Sequence, residues 1–193
     1  MKLIIASNNK HKIEEIKQIL KGKFDEILSL CEAGVTHETV EDGDTFMANS
    51  LKKARDIAEI TGQAALADDS GLCVDSLGGE PGIFSARYAS ESNPSLRDRA
   101  NIDLLLSNLN GKTDRSAHFT CAVALVYPNG VEITAEGYMN GRIIDTPTGC
   151  GGFGYDPVFL PDGESRTVAE LSENEKNSIS HRANALKLLL TKI

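Results

Sequence analysis

The sequence contains few prolines, 6 among its 193 residues, and its 17 glycines form no repeated tract. Its longest apolar runs fall short of the roughly 20 residues that a membrane-spanning helix needs. A charged fraction of 25% together with 40% hydrophobic residues is typical of an ordinary folded protein rather than a fibrous or disordered one. We therefore expect one globular domain over residues 1–193, with no membrane partner.

Positive charge is also in deficit, because 20 Lys and Arg face 28 Asp and Glu and the formal net charge is -8 at pH 7. Binding to nucleic acid or to an anionic membrane surface needs a basic footprint, so neither is expected as the main partner. Residues 1–6 hold one lysine and a short apolar run, which is too short for a secretory signal. The sequence therefore predicts a cytoplasmic protein and leaves room for a local basic pocket.

The four cysteines form no C-x-x-C pair, which excludes the usual spacing of a zinc site or a disulfide framework. Cys73 and Cys121 lie in apolar, strand-like surroundings, and we expect them to be small core residues. No histidine or other thiol-activating group accompanies any of the cysteines, so a catalytic cysteine is not expected.

Hydrophobic periodicity alternates between strand and helix along the chain, which predicts an α/β protein. The expected strands are Lys2–Ala6, Phe24–Leu30, Ala64–Ala67, Arg115–Tyr127 and Val131–Met139, the last two joined as a hairpin. The expected helices lie at about Ile13–Leu20, Phe46–Ile60, Ser95–Leu109 and Ser180–Ile193.

A polar turn, residues 7–12, separates the first predicted strand from the first helix. Such a turn presents backbone N–H groups at the positive end of a helix, where an anion is stabilised, and its Ser, Asn and Lys side chains add donors and charge. The turn therefore predicts a phosphate site, although it is neither a Walker A loop nor a Rossmann fingerprint. The alternative is that Ser7 or Asn9 only caps the helix.

Two adjacent carboxylates, Asp68 and Asp69, follow a short apolar strand and precede Ser70 and Gly71. Neighbouring carboxylates repel unless a cation or a proton offsets them, so the pair suggests a hard-metal site, best fitted by Mg²⁺, or a shared acid–base role. The alternative is a solvated turn in which the aspartates accept backbone hydrogen bonds. The acidic segment 41–44 is explained by the positive N-terminus of the following helix.

A glycine-rich loop, Gly149–Pro157, places Phe153 between glycines. Glycines permit close approach of the backbone to a ligand, and an exposed aromatic ring suits a nucleobase. The alternative is a tight turn closed by its own aromatic side chains.

Ser180, His181 and Arg182 stand at the start of the last predicted helix. Ser180 is a natural N-cap, but positive His and Arg side chains oppose the helix dipole at this end. This placement suggests that the pair presents donors to a carbonyl or a phosphate, although a lone histidine is more often structural.

Taken in order along the chain, these motifs resemble those of the inosine triphosphate pyrophosphatases, also called Ham1 or non-standard purine NTP pyrophosphatases. The resemblance runs from residue 4 to residue 190. It departs at His11, where a glycine is frequent, and at Ala48-Asn49-Ser50, where Glu-Asn-Ala is commoner. The motifs are Ser7-Asn8-Asn9-x-x-Lys12, Glu41–Phe46 with Asn49 and Lys53, Ala67–Leu72, Pro81-Gly82 with Ser85–Tyr88, Gly152–Pro157 and Ser180-His181-Arg182.

The resemblance implies Mg²⁺-dependent hydrolysis of ITP, dITP and XTP between the α and β phosphates, which yields a monophosphate and pyrophosphate. It implies an elongated, two-lobed, mixed-sheet α/β fold with a central active-site cleft, and a homodimer. Asp69 would be the proton acceptor and, with Glu41, a metal ligand, and Asp68 would support it. The substrate-binding residues implied are Ser7, Asn8, Asn9, Lys10, His11, Lys12, Lys53, Ser70, Phe153, Gly154, Tyr155, Asp156, Lys176, His181 and Arg182, of which the last three would reach the base.

Two functions of other kinds stay open from the residues alone. A nucleotide-binding sensor without turnover would keep the phosphate and base residues but would not need Asp68 and Asp69. A related pyrophosphatase of the Maf type, which acts on pyrimidine or modified nucleotides, has a similar fold but lacks the signatures at residues 153–156 and 180–182.

Overall fold

The computed structural model describes residues 2–193 and contains both helices and strands, as the sequence predicts. Within these residues no helix is both long and apolar enough to cross a membrane. Short 3₁₀ segments, among them Gly82–Arg87 and Asp156–Val158, connect the main elements. In chain order those elements are β1 Lys2–Ile5, α1 Lys10–Ile19, β2 Glu26–Ser29, α2 Phe46–Thr61, β3 Ala64–Val74, α3 Pro94–Asn108, β4 Ser116–Val126, β5 Glu132–Ile143, β6 Phe159–Pro161, α4 Glu173–Ile179 and α5 His181–Leu190.

The strands form one mixed, six-stranded sheet in the order β2-β1-β3-β4-β5-β6. Strand β1 runs parallel to both β2 and β3, whereas β5 and β6 are antiparallel. The turn of the predicted hairpin is closed by a backbone hydrogen bond from Tyr127 to Val131. The expectation of a mixed-sheet α/β fold is confirmed.

The chain divides into two compact units, each with its own apolar core. The first unit comprises the chain up to Asp69, Cys121–Gly137 and Arg182–Ile193, and the second comprises Ser70–Thr120 and Tyr138–His181. The core of the second unit includes Leu105 of α3, Phe119 of β4 and Phe159 of β6. The expectation of a single domain over residues 1–193 stays a prediction.

Strand β3 alternates its side chains between two apolar clusters of the first unit. Leu66 belongs to a cluster with Ile16 of α1 and with residues of α5, whereas Ala67 belongs to a cluster with Ala54 of α2. Successive residues of a strand point to opposite faces of the sheet. Residue 68 is therefore directed towards α1 and α5, and residue 69 towards α2.

The ends of α2 show how local sequence sets its position. Its N-cap is Thr45, whose side chain accepts a hydrogen bond from the Ala48 N–H, and its C-cap is Gly62 in the left-handed conformation, with φ 63°. A hydroxyl at the N-cap and a glycine after the last turn are the preferred residues at these positions. The helix therefore begins and ends where the sequence predicts, to within a residue.

The prediction that the third strand ends at Ala67 is wrong, because β3 continues to Val74. Charged residues usually end a buried strand, since an unpaired charge costs several kcal/mol to bury. Here cationic side chains from other elements approach Asp68 and Asp69, so the strand passes through them.

Three further features of the chain's C-terminal part differ from expectation. Strand β6 and helix α4 are short elements that the periodicity does not predict, and the final helix begins at His181 and ends at Leu190. Ile193, the last residue of the predicted helix, lies beyond that end and is exposed.

Candidate active site

The two carboxylates of β3 are held by different helices of the first unit. Asp68 faces α1 and α5, and Asp69 faces α2, as the alternation of the strand requires. Both side chains are buried. A buried pair of carboxylates at adjacent positions needs compensating charge, and the structure supplies it separately to each one.

Asp68 lies among three positively charged groups. Its Oδ2 is 3.0 Å from Nζ of Lys12 and accepts hydrogen bonds from Nε and Nη2 of Arg182 at 3.2 and 3.1 Å. Burial by itself would raise the pKa of the Asp68 carboxyl, but the charges of Lys12, Arg182 and Lys53 outweigh it and hold that pKa well below its usual range. Asp68 is therefore an anion in the folded protein.

Arg182 has no exposed surface and bridges two acidic residues. Besides Asp68, its guanidinium contacts the carboxylate of Glu15 on α1 through Nη1. The sequence predicts that Arg182 reaches a nucleobase, whereas these contacts place its guanidinium against carboxylates in the first unit. The predicted role in base binding remains without support from this geometry.

Asp69 is surrounded by polar groups of α2. Its Oδ2 accepts a hydrogen bond from the Asn49 side chain at 3.0 Å, and its Oδ1 is 3.9 Å from Nζ of Lys53. Burial raises the pKa of the Asp69 carboxyl above its ordinary value, although the charges of Lys53 and Lys12 act against this shift. The negative charge of the Asp69 carboxylate is thus offset less fully by nearby cations than that of Asp68.

The Lys53 ammonium joins Asp69 to the second predicted metal ligand. Nζ of Lys53 lies 3.0 Å from Oε1 of Glu41 and donates to the backbone carbonyl of Asp68 at 2.8 Å. Glu41 precedes α2 and Asp69 lies on β3, whereas Lys53 is the eighth residue of α2. The helix therefore places one ammonium beside two carboxylates that come from other parts of the chain. The Lys53 ammonium thus offsets negative charge on both predicted metal ligands, Glu41 and Asp69.

The donor set fits Mg²⁺ that is shared with a phosphate. Among residues 2–193 no group of three or more His, Cys, Asp or Glu side chains is arranged to hold a metal by itself. Mg²⁺ is commonly held by one or two carboxylates together with substrate phosphates and water. Glu41 and Asp69 supply two carboxylates, so they fit this second kind of site rather than a closed protein cage.

The polar turn after β1 lies at the N-terminus of α1. Asn9 caps the helix, because its side chain accepts a hydrogen bond from the Lys12 N–H, and the Asn9 N–H donates to Oγ of Ser7. Asn9 therefore makes the capping contact, and the binding of phosphate by this turn stays a prediction. Asn8, Lys10 and His11 are exposed at this positive end of the helix, where an anion is stabilised, and Lys12 links the turn to Asp68.

In the second unit, the glycine-rich loop is closed by a buried ion pair. Oδ2 of Asp156 accepts hydrogen bonds from the Phe153 N–H at 2.9 Å and from Nζ of Lys176 at 2.8 Å. The same ammonium stands 4.6 Å from the centre of the Phe153 ring, which is a cation–π distance. Lys176 and Asp156 therefore fix both the backbone and the ring of Phe153.

The hydrogen bonds that close this loop require glycine at position 152. Its φ is +70°, and a Cβ added to it would stand 2.1 Å from Oδ2 of Asp156. Any other residue would thus meet both an unfavourable backbone conformation and a steric clash with the carboxylate that holds the loop.

His181 is the other predicted base residue in the second unit. Its ring is buried and stacks on Phe119, with centroids 4.9 Å apart and planes at 14°. Ser180, which the sequence predicts to cap the last helix, is buried between α4 and α5, and its N–H donates to the Lys176 carbonyl. Ser70 follows Asp69 on β3 and also belongs to the second unit.

The structure groups the predicted site residues into two sets. The first unit brings together Lys12, Glu41, Lys53, Asp68 and Asp69, which are the residues predicted to act on phosphate and metal. The second unit holds the predicted base residues of the loop with Lys176 and His181. The roles of these residues in binding and catalysis stay predictions.

Two polar residues of the first unit have no assigned role in the sequence-based prediction. Glu15 contacts Arg182, and Asn49 donates to Asp69. Residues three or four apart on a helix share a face, and Glu15 follows Lys12 by three while Asn49 precedes Lys53 by four. The helical spacing from each predicted lysine was the signal that could have identified them.

Comparisons with known proteins show similarity along the whole chain. The model of the Ham1 family matches residues 3–192. A dITP/XTP pyrophosphatase of Bacillus licheniformis is 49% identical over 97% of this chain and 95% of that protein, and one of Streptomyces avermitilis is 48% identical over 98% and 95%. The structure of a HAM1 protein from Coxiella burnetii has a TM-score of 0.89 and 38% identity, with 100% of both chains covered.

Proposed function

The chain belongs to the Ham1 family, because that family's model spans residues 3–192, and on this premise we propose that it hydrolyses non-standard purine nucleoside triphosphates. The substrates are ITP, dITP and XTP, and the products are the nucleoside monophosphate and pyrophosphate. Relatives named dITP/XTP pyrophosphatase, nearly half identical over almost their full length, support this proposal. The enzyme would thereby remove deaminated purines from the nucleotide pool.

The observation that carries the proposal is that two adjacent carboxylates, those of Asp68 and Asp69, have different partners. Asp68 is held by the charges of Lys12 and Arg182, whereas Asp69 accepts a hydrogen bond from Asn49 and lies 3.9 Å from the Lys53 ammonium. A general base must be held in place yet be free to accept a proton. We assign that role to Asp69, and we assign to Asp68 the role of fixing Lys12.

In the reaction, Asp69 takes the proton of the attacking water while the water oxygen bonds to phosphorus. Attack at the α phosphorus breaks its bond to the bridging oxygen, which leaves with pyrophosphate. Attack at the β phosphorus breaks the other bond of that oxygen, which leaves with the nucleoside monophosphate. Lys12 and Lys53 orient the triphosphate, whose roughly four negative charges would otherwise be repelled by an acidic protein. Glu41 and Asp69 would hold Mg²⁺, which would supply positive charge to the phosphate oxygens and lower the pKa of a bound water.

The loop of the second unit supplies base recognition in this proposal. Phe153 offers a ring face for stacking, since Lys176 and Asp156 hold it in one orientation. Hypoxanthine and xanthine have a carbonyl at C6 where adenine has an amino group, so donors in the site favour the first two. Lys176 and His181 are the donors of this unit that we assign to the C6 carbonyl.

We also infer that the enzyme is a cytoplasmic homodimer that does not bind nucleic acid as a partner. The net charge of -8 supports the last point. Phe84 and Leu96 of the second unit are each 53% exposed, and exposed apolar side chains are suited to a protein interface. Light scattering after size-exclusion chromatography tests the dimer, and a monomer mass would contradict it.

The test of the proposed function is pyrophosphate release from a panel of nucleotides. ITP, dITP and XTP should be cleaved much faster than ATP, GTP and pyrimidine triphosphates, and EDTA should abolish turnover until Mg²⁺ is added. A Maf-type enzyme would prefer pyrimidine or modified nucleotides in this panel, and a sensor would release no pyrophosphate.

The role of Asp69 is tested by Asp69→Asn, which keeps the shape of the side chain but removes the base. We expect kcat on ITP to fall by roughly 10² to 10⁴, the range for loss of a general base. Asp103→Asn is the matched control, since Asp103 pairs with Arg99 on an exposed face of α3, and it should leave kcat unchanged. An Asp69→Asn variant that kept more than about a tenth of the rate would contradict the assignment.

A further inference from the structure

The glycine-rich loop of the second unit is held by a second carboxylate, from outside the loop. The Gly154 N–H donates to Oδ2 of Asp98 at 2.8 Å, and these two residues are 56 positions apart. Asp156 holds the preceding N–H, that of Phe153, from within the loop. Consecutive N–H groups beside the Phe153 ring are therefore each satisfied by a carboxylate, one of which belongs to α3.

Helix α3 is a rigid support for this contact. Its N-cap is Asn93, with proline at the first helical position, and Leu105 and Leu109 are fully buried in the core of the second unit. Asp98 lies in the second turn of this well-capped helix. A side chain on such a helix holds its partner more accurately than one on another loop.

A second link joins α3 to the same loop through the 3₁₀ segment Gly82–Arg87. Asn101, one turn after Asp98, donates to the Ser85 carbonyl at 3.2 Å and accepts from the Ala89 N–H at 2.8 Å. The Tyr155 hydroxyl donates to the same Ser85 carbonyl at 2.9 Å. The loop is thus tied at Gly154 directly to α3 and at Tyr155 through a residue that α3 fixes.

We propose that Asp98 is a positioning residue, which holds the loop so that the Phe153 ring is presented in one orientation to the base. Asp98 acts through the backbone of Gly154 and does not itself touch the substrate. A hydrogen bond to a carboxylate is stronger than one to a neutral acceptor, and Gly154 has φ +61°, a conformation that a free glycine readily leaves. The inference rests on the proposed function, in which residues 153–156 bind the base.

The first test measures the loop without substrate, by hydrogen–deuterium exchange. In Asp98→Ala the amides of residues 153–156 should exchange faster than in the wild type, and in Asp98→Asn, which keeps an acceptor oxygen, the increase should be smaller. Asp103→Ala is the matched control, because Asp103 lies on the same helix and pairs with Arg99. Unchanged exchange in Asp98→Ala would overturn the proposal.

The second test is steady-state kinetics on ITP with the same three variants. Asp98→Ala should raise KM about three- to tenfold, the equivalent of one hydrogen bond, and should change kcat by less than about twofold. An equal loss in kcat, or an unchanged KM despite faster exchange, would overturn the positioning role. If the wild type cleaves none of the nucleotides, the proposed function has failed, whereas the exchange experiment still decides whether Asp98 orders the loop.

Discussion

Replacing Arg182 by methionine tests whether this residue acts through Asp68 rather than on the base. Methionine keeps much of the length and apolar volume of arginine but removes its charge. The substitution leaves the Asp68 carboxylate buried, with the Lys12 ammonium at 3.0 Å as a remaining cation, and it also removes the guanidinium that contacts Glu15. We expect the main effect to be on stability.

The magnitude follows from the burial of both partners, neither of which is more than 1% exposed in its side chain. Removing one partner of a buried ion pair destabilises a protein by about 3 to 5 kcal/mol, and the lower value applies here because Lys12 remains. For a chain of this length, about 1 kcal/mol corresponds to roughly 2 to 4 °C in Tm. Arg182→Met should therefore lower Tm by about 6 to 12 °C.

Differential scanning calorimetry and a double-mutant cycle with Asp68→Asn measure this effect. The double variant should be more stable than the sum of the single losses by at least about 1 kcal/mol, because neutralising Asp68 removes the charge that Arg182 compensates. A fall in Tm of less than about 2 °C, or strict additivity, would refute the reasoning.

The kinetics of the same variant separate the two roles. If Arg182 acts through Asp68, kcat/KM for ITP and ATP should fall together. A large fall in the ratio of kcat/KM for ITP to kcat/KM for ATP, with little change in Tm, would instead show that Arg182 takes part in base recognition, as the sequence motif suggests.

Three further substitutions test other parts of the structure. Lys12→Ala should raise KM for ITP and ATP alike and weaken its dependence on salt, because it removes a charge contact that both nucleotides share; a loss confined to one base would contradict this. Gly152→Ala should cost more stability in urea denaturation than Gly163→Ala, since both have positive φ but only the first Cβ meets a carboxylate, at 2.1 Å; equal losses would exclude the clash. Hydrogen bonds, chiefly that from Lys17, lower the Glu32 pKa to about 2. The difference in Tm between the wild type and Glu32→Gln should therefore be constant above about pH 5.5 and should shrink as the pH falls towards 2. A difference that does not depend on pH would contradict this prediction.

Local signals in the sequence predict most of the helices. The N-cap Thr45 and the C-cap Gly62 mark the limits of α2, and Asn93 with the following proline marks the start of α3. These signals work because a cap satisfies backbone groups within a few residues of the helix end. The short elements β6 and α4 have no such pattern of sufficient length, so periodicity could not identify them.

The residue types of the site are also evident from sequence, but their pairing is not. Asp68 and Asp69 form a conspicuous pair in the sequence, yet nothing local shows that they belong to opposite faces of a continuous strand. The partner that holds Asp68, Arg182, is 114 residues away. Contacts of this kind depend on how strands and helices assemble, so the sequence alone shows neither that Arg182 contacts Asp68 nor that Asn49 contacts Asp69.

The alternation of β3 has a consequence for how homologous chains can diverge. Insertion of one residue before Asp68 would turn both carboxylates to the wrong face, so that each would lose its cations and meet the partners of the other. Insertion of two residues would restore the faces but move the pair by about 6.6 Å along the strand, beyond the reach of fixed side chains. Length changes should therefore be absent from this strand among active relatives, even where its apolar residues are exchanged freely.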